Sequence, residues 1–181
     1  MAKTNVRSAQ TRITLMEATL RVAAEHGIAA VSYRRVVNEA GLSLGTASYH
    51  FDDFNDLLLE SFSYFVEQIA ERYREPLESA TTQDELVEAV LRVSTAIRQD
   101  EQDTVLLLTL YSEAARNPAY AQLVKSWSRA VKQQISHIVD EADATKVEIL
   151  WVGVILQRAV FDHGLGDDEL RDMIVQAITK D

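Results

Sequence analysis

Between Arg34 and His50 the chain gathers side chains able to bind a polyanion: Arg34, Arg35, Ser43, Thr46, Ser48, Tyr49 and His50. Arginine forks onto guanine or phosphate, and hydroxyls bond to phosphate oxygens. The stretch that carries them, SYRRVVNEAGLSLGTASYHF (Ser32–Phe51), predicts helix, tight turn, helix. Ser32 is placed to cap the first helix, Val36, Val37 and Ala40 form its short apolar face, and Gly41 supplies the positive backbone dihedral needed to leave it. Ser43 is placed to cap the second helix. At about two turns, that helix would not persist without neighbours. Its mostly small or hydrogen-bonding surface suits a nucleic-acid groove. The same spacing also fits a helical hairpin inside an all-helical core, and the motif alone leaves both readings open.

The supporting elements follow from apolar periodicity. Over Gln10–His26, Leu15 or Met16, Thr19 or Leu20, and Ala23 share one face of a helix that Gly27 ends, with Ile28 and Val31 filling the corner behind it. Ahead of it, Met1–Ala9 reads as a frayed polar arm whose Lys3 and Arg7 reach toward phosphate. Beyond Phe51, Asp53 is a candidate cap for a long helix on Leu57, Leu58, Phe62, Phe65, Ile69 and Tyr73, ending near Pro76. Further helices are expected over Gln83–Gln99, Asp103–Ala115, Pro118–Asp140, Thr145–His163, where Gly164 stops it, and Asp167–Thr179. No segment sustains period-two alternation. The expected fold is therefore all-α, with about nine helices: a three-helix head over residues 1–53 and a helical body over 54–181.

Within that body, Ile149–Leu156 is apolar around most of its girth. A second copy of the chain would cover it, the last two helices of each copy forming a four-helix bundle about a two-fold axis. Such an assembly buries about 1,600 Å² or more in total. A central position in a monomeric bundle is the alternative.

An apolar content of 47% over 181 residues excludes a disordered chain. The absence of cysteine excludes a disulfide framework and thiolate chemistry. His26, His50, His137 and His163 form no short ligand pair, and neither Glu-x-x-His steps nor glycine-rich phosphate loops occur. No metal, no cofactor and no enzymatic activity are expected. The N-terminus lacks the apolar core of a signal peptide, and no segment reaches the roughly 18 apolar residues of a membrane span. A cytoplasmic protein with no membrane partner is the expectation. The net charge of −10 is unevenly spread: residues 1–51 carry +3 and residues 52–181 carry −13. Only the head is a plausible polyanion surface, and the acidic body helps to fix which end docks.

From about Thr14 to Leu58 the chain resembles the TetR family of transcriptional regulators. Glu25-His26-Gly27 matches the family's Glu-x-Gly at the end of the first helix, and AGLSLGTASYHF (Ala40–Phe51) matches its Ala-Gly-Val-Ser-x-Gly-Thr-x-Tyr-x-His-Phe signature. Leu42 stands for the valine and Ser48 for the first tyrosine position. The resemblance implies a DNA-binding helix-turn-helix domain followed by a ligand-binding and dimerisation domain. It implies DNA contacts at Arg34, Arg35, Ser43, Leu44, Gly45, Thr46, Ser48, Tyr49 and His50, with Gly45 permitting close approach. Phe51 is expected in the core. Where the family usually places a phosphate-binding lysine, this chain has Phe54, flanked by Asp52, Asp53 and Asp56. That loss of charge predicts weaker salt-dependent binding.

The same resemblance implies a homodimer on a pseudo-palindromic double-stranded DNA operator, acting as a repressor that a small molecule releases; the tryptophans, tyrosines and Thr95 or Thr109 of the body suggest a largely apolar effector. Phe62, Phe65, Ile69, Tyr73, Leu91, Leu107, Tyr111, Trp127 and Trp151 are the candidate pocket walls. A helical scaffold or adaptor that has lost DNA binding is the rival reading.

Overall fold

The computed structural model describes residues 2–161 and 165–178. Among them, all regular structure is helical: ten α-helices and one 3-10 turn. The helices are α1 (Ala2–His26), α2 (Tyr33–Ala40), α3 (Leu44–His50), α4 (Phe54–Arg72), α5 (Arg74–Glu78), α6 (Gln83–Gln99), α7 (Glu101–Ala114), α8 (Pro118–Ile135), α9 (Glu141–Val160) and α10 (Asp167–Ile178), with the 3-10 turn at Ile28–Ala30. No described helix is long and apolar enough to cross a membrane.

Several boundaries differ from the sequence expectation. α1 begins at Ala2 and not at Gln10, because no glycine or proline interrupts it before Gly27, where φ reaches 81°. The expected single helix to Pro76 is two helices. Proline has no N–H to donate and its ring would strike the carbonyl four residues earlier, that of Arg72. The chain breaks at Tyr73, and Pro76 falls in the first turn of α5, where no donor is needed. Arg72, the last residue of α4, pairs with the buried Asp103 of α7 at 2.5 Å, which pins the break.

At the other end of the body, α8 stops at Ile135 and not at Asp140. Asp140 instead caps α9, its carboxylate accepting the Asp143 N–H at 3.0 Å, so α9 starts at Glu141 and not at Thr145. Asp100 plays the same part for α7, accepting the Asp103 N–H at 2.9 Å and moving that start to Glu101. The expected end of α9 at His163-Gly164, and Thr179 at the end of α10, lie outside the described residues.

The chain divides into two compact units, Met1–Glu67 with Thr109–Leu123 and Gln68–Leu108 with Val124–Asp181, so that α4, α7 and α8 each contribute residues to both. In the first, Leu15, Ala18, Val36, Ala47, Leu57 and Phe62 are buried, and the Phe62 and Tyr120 rings meet edge to face at 5.5 Å. In the second, α10 packs on α6 and α9 through Leu170, Ile174 and Ile178. There the Trp127 and Trp151 rings meet edge to face at 5.7 Å.

Candidate nucleic-acid interface

Local chemistry sets the angle between α2 and α3. The Ser32 hydroxyl accepts the Arg35 N–H at 3.3 Å and starts α2. Gly41 ends it at φ 65°, in the left-handed region, and the Leu42 N–H then donates to the Val37 carbonyl at 2.8 Å. This closes the turn and aims the chain into α3. Ser43 holds the cap position as expected but its side chain accepts no helix amide; the hydroxyl pairs with the Thr46 hydroxyl at 2.8 Å. The short helix is held instead by what lies behind it. Ala47 is fully buried, and Phe51, directly after α3, is buried as well.

Arg12 of α1 completes that support. Its guanidinium lies 4.4 Å from the centre of the Phe51 ring, donates to the His50 carbonyl, and pairs with Glu60 of α4 at 2.7 Å. Sequence reasoning did not single out Arg12. The available signal was its place three and four residues before Leu15 and Met16, on the face that packs against the rest of the head. Arg21 likewise pairs with Glu39 of α2 at 2.9 Å.

Of the nine residues predicted to contact DNA, Arg34, Arg35, Ser43, Leu44, Gly45, Ser48 and Tyr49 are exposed, while Thr46 and His50 are half-buried. Tyr49 is 79% exposed, its ring edge against His50 at 5.2 Å. Arg35 donates to the Ala30 carbonyl at 3.3 Å. Arg34 makes no hydrogen bond or ion pair with any described residue. Both arginines line an open groove of about 620 Å³ beside α2, together with Ala30, Ser32, Asn38 and Glu39.

At the start of α4 the expected cap is present: Asp53 accepts the Asp56 N–H at 2.9 Å, and Asp56 accepts the Asp52 N–H at 3.1 Å. Phe54 meets the Tyr33 ring edge to face at 5.5 Å. Burial, with the negative charges of Asp53 and Asp56, holds the Tyr33 phenol above its ordinary range. An aromatic pair beside carboxylates thus stands where a phosphate-binding cation was in question.

The nine candidate pocket residues fall in different units: Phe62, Phe65 and Tyr111 in the first, and Ile69, Tyr73, Leu91, Leu107, Trp127 and Trp151 in the second. All are buried except the half-buried Tyr73 and Tyr111. Trp151 lines a small apolar cavity of about 10 Å³, with Val90 and Val93 of α6, Val131 and Ile135 of α8, and Val147 and Glu148 of α9 among its walls. Those neighbours escaped the sequence reading, which favoured aromatic residues over valines that look like ordinary core.

A short exposed helix, set by a left-handed glycine turn and braced by α1, defines a helix-turn-helix head. Known proteins agree with that class. Residues 15–60 match the family model described as "Bacterial regulatory proteins, tetR family", and residues 78–180 match "Tetracyclin repressor-like, C-terminal domain". The HTH-type transcriptional regulator CymR of Pseudomonas putida is 30% identical over 168 residues, covering 93% of this chain and 74% of CymR. Among solved structures, the regulator SCO7518 of Streptomyces coelicolor A3(2) is 35% identical with a TM-score of 0.88, over 94% of this chain and 99% of that one. The TetR-family member SCO1917 from Streptomyces coelicolor is 25% identical with a TM-score of 0.82 over the same shares of 94% and 99%. The chain belongs to the TetR family.

Proposed function

We propose that this protein is a sequence-specific DNA-binding transcriptional regulator, a homodimeric repressor released from a pseudo-palindromic operator by a small, largely apolar effector. The observation that carries the reading is the outward row on the head: Arg34 without a partner among the described residues, then Leu44, Ser48 and Tyr49 exposed along a helix whose other side is buried. Arginine and tyrosine reach phosphate and base edges, and a helix of this size fits the major groove.

The dimer reading draws on α9. Ile149, Gly153, Leu156 and Val160 repeat at helical spacing on one face, and Ile149 is 65% and Val160 64% exposed. An apolar stripe of this kind on a regulator is an interface in want of its partner. Two heads then meet two half-sites about 34–36 Å apart, or a multiple of that. An effector acts only through its different affinity for the DNA-compatible and incompatible dimers. The cavity beside Trp151, at about 10 Å³, is smaller than a ligand, so an effector using it would part the surrounding side chains.

Selection from random double-stranded DNA at low salt tests the first claim. A palindromic site should be enriched by the wild type and not by Tyr49→Ala; no enrichment at all would favour the scaffold reading. For the effector, the chain's two tryptophans, in contact with each other, provide the signal: a panel of small apolar compounds should yield one that changes the emission and releases DNA together.

A further inference from the structure

α3, read residue by residue, limits which bases it can recognise. Its seven residues, Leu44, Gly45, Thr46, Ala47, Ser48, Tyr49 and His50, include no arginine, lysine, asparagine, glutamine or carboxylate. Guanine is read by a forked or cationic donor, adenine by an amide that both donates and accepts, and the cytosine amino group by a carboxylate. None of these readers is present on the helix. The serine and threonine hydroxyls are also engaged: Thr46 with Ser43 at 2.8 Å, and Ser48 turned back to the Leu44 and Gly45 carbonyls at 3.4 and 3.3 Å.

Beside the Tyr49 phenol and the His50 ring, what remains is a leucine in an unusual place. Leu44 opens α3, at the end of a recognition helix whose first residues meet base edges, and it is 58% exposed. An isobutyl group gains nothing from amino groups, carbonyls or phosphates. The one apolar feature on the major-groove floor is the C5-methyl of thymine.

We propose that Leu44 is a specificity-determining residue that reads thymine through its C5-methyl group. The inference rests on the DNA-binding reading above and extends it to a base: each operator half-site carries a thymine under the first turn of α3. The forked donors of this hairpin suited to guanine are Arg34 and Arg35 of α2.

The test removes the methyl and nothing else. Sites selected from random DNA by the full-length protein are resynthesised with deoxyuridine replacing one symmetric pair of thymines at a time, and binding is measured for wild type and Leu44→Ala. At one pair the wild type should bind deoxyuridine DNA about four-fold more weakly per methyl, on the order of fifteen-fold for both half-sites. Leu44→Ala should bind the two forms of that site equally. Leu44→Met, which keeps an apolar chain, should restore part of the discrimination. Wild-type indifference to every methyl, or a Leu44→Ala protein that still discriminates, would overturn the proposal while leaving DNA binding intact. A Leu44→Ala protein weaker than wild type by the same factor on both forms, its preference for thymine unchanged, would assign Leu44 to the backbone and also overturn it. Failure to select any site would bring down the DNA-binding reading itself, and this proposal with it.

Discussion

The guanidinium of Arg12 lies 4.4 Å from the centre of the Phe51 ring, and the same group bonds the His50 carbonyl and Glu60. One side chain of α1 therefore holds the end of α3 and the side of α4. Replacing Arg12 by methionine keeps much of the apolar packing but removes the charge and its donors. The expected cost is about 2 kcal/mol, from one charge-assisted hydrogen bond plus the cation–π interaction. Urea denaturation of the variant gives the value directly, and operator affinity should fall along with stability.

Arg34 should behave in the opposite way. Because no described residue pairs with it, Arg34→Ala should change stability by less than about 0.5 kcal/mol. Operator binding should weaken on the order of ten-fold, and the slope of affinity against salt should drop by about one for each phosphate no longer neutralised. Phe54→Lys adds a cation where Phe54 now meets Tyr33, and should strengthen binding to DNA of unrelated sequence. Titrations at several salt concentrations measure both effects.

Leu156 and Val160 are exposed on the α9 face proposed for the dimer. Leu156→Glu places a charge against its own symmetry mate or near it. The wild type should show a mass near twice 20.3 kDa, and the variant a mass near 20.3 kDa, in sedimentation at micromolar concentration. A monomeric wild type would end the dimer reading.

Tyr120 is 5% exposed, and burial together with the nearby Glu113 charge pushes its phenol up to about 12. Its folded value lies above the ordinary value of 10, so the stability it lends as a neutral phenol is complete below pH 10 and is lost as the pH rises toward 12. The loss should be roughly 2 kcal/mol for a shift of that size. Tyrosinate absorbance of the wild type should include a phenol titrating near 12 that disappears in Tyr120→Phe, whose stability should fall less steeply over the same range.

Much of the head is legible in the sequence because its determinants are local. Ser32, Gly41 and Gly27 act through the backbone of their own neighbours, and each bounds an element as its type predicts. Ser43 marks the limit of such reasoning. It stands at the cap position as its type predicts, but a competing hydroxyl one turn away takes its bond. Arg12 is not legible, because its three partners lie 38 or more residues away. In the body, Pro76 reads as a stop, but sequence periodicity alone does not show that the helix resumes around it. Apolar spacing absorbs Asp140 into a helix, whereas its carboxylate begins the next one.

The arginines of the head whose side chains are described are mostly committed to the protein: Arg12 to Glu60, Arg21 to Glu39 and Arg35 to the Ala30 carbonyl. Millions of incorrect sites on a chromosome compete for any regulator, and they do so through the sequence-blind attraction that free cations supply. A regulator whose cations are largely paired within the protein would leave less of its population stranded on those decoys. Few copies per cell would then suffice to keep an operator occupied, and discrimination between sites would rest on shape and methyl complementarity more than on charge.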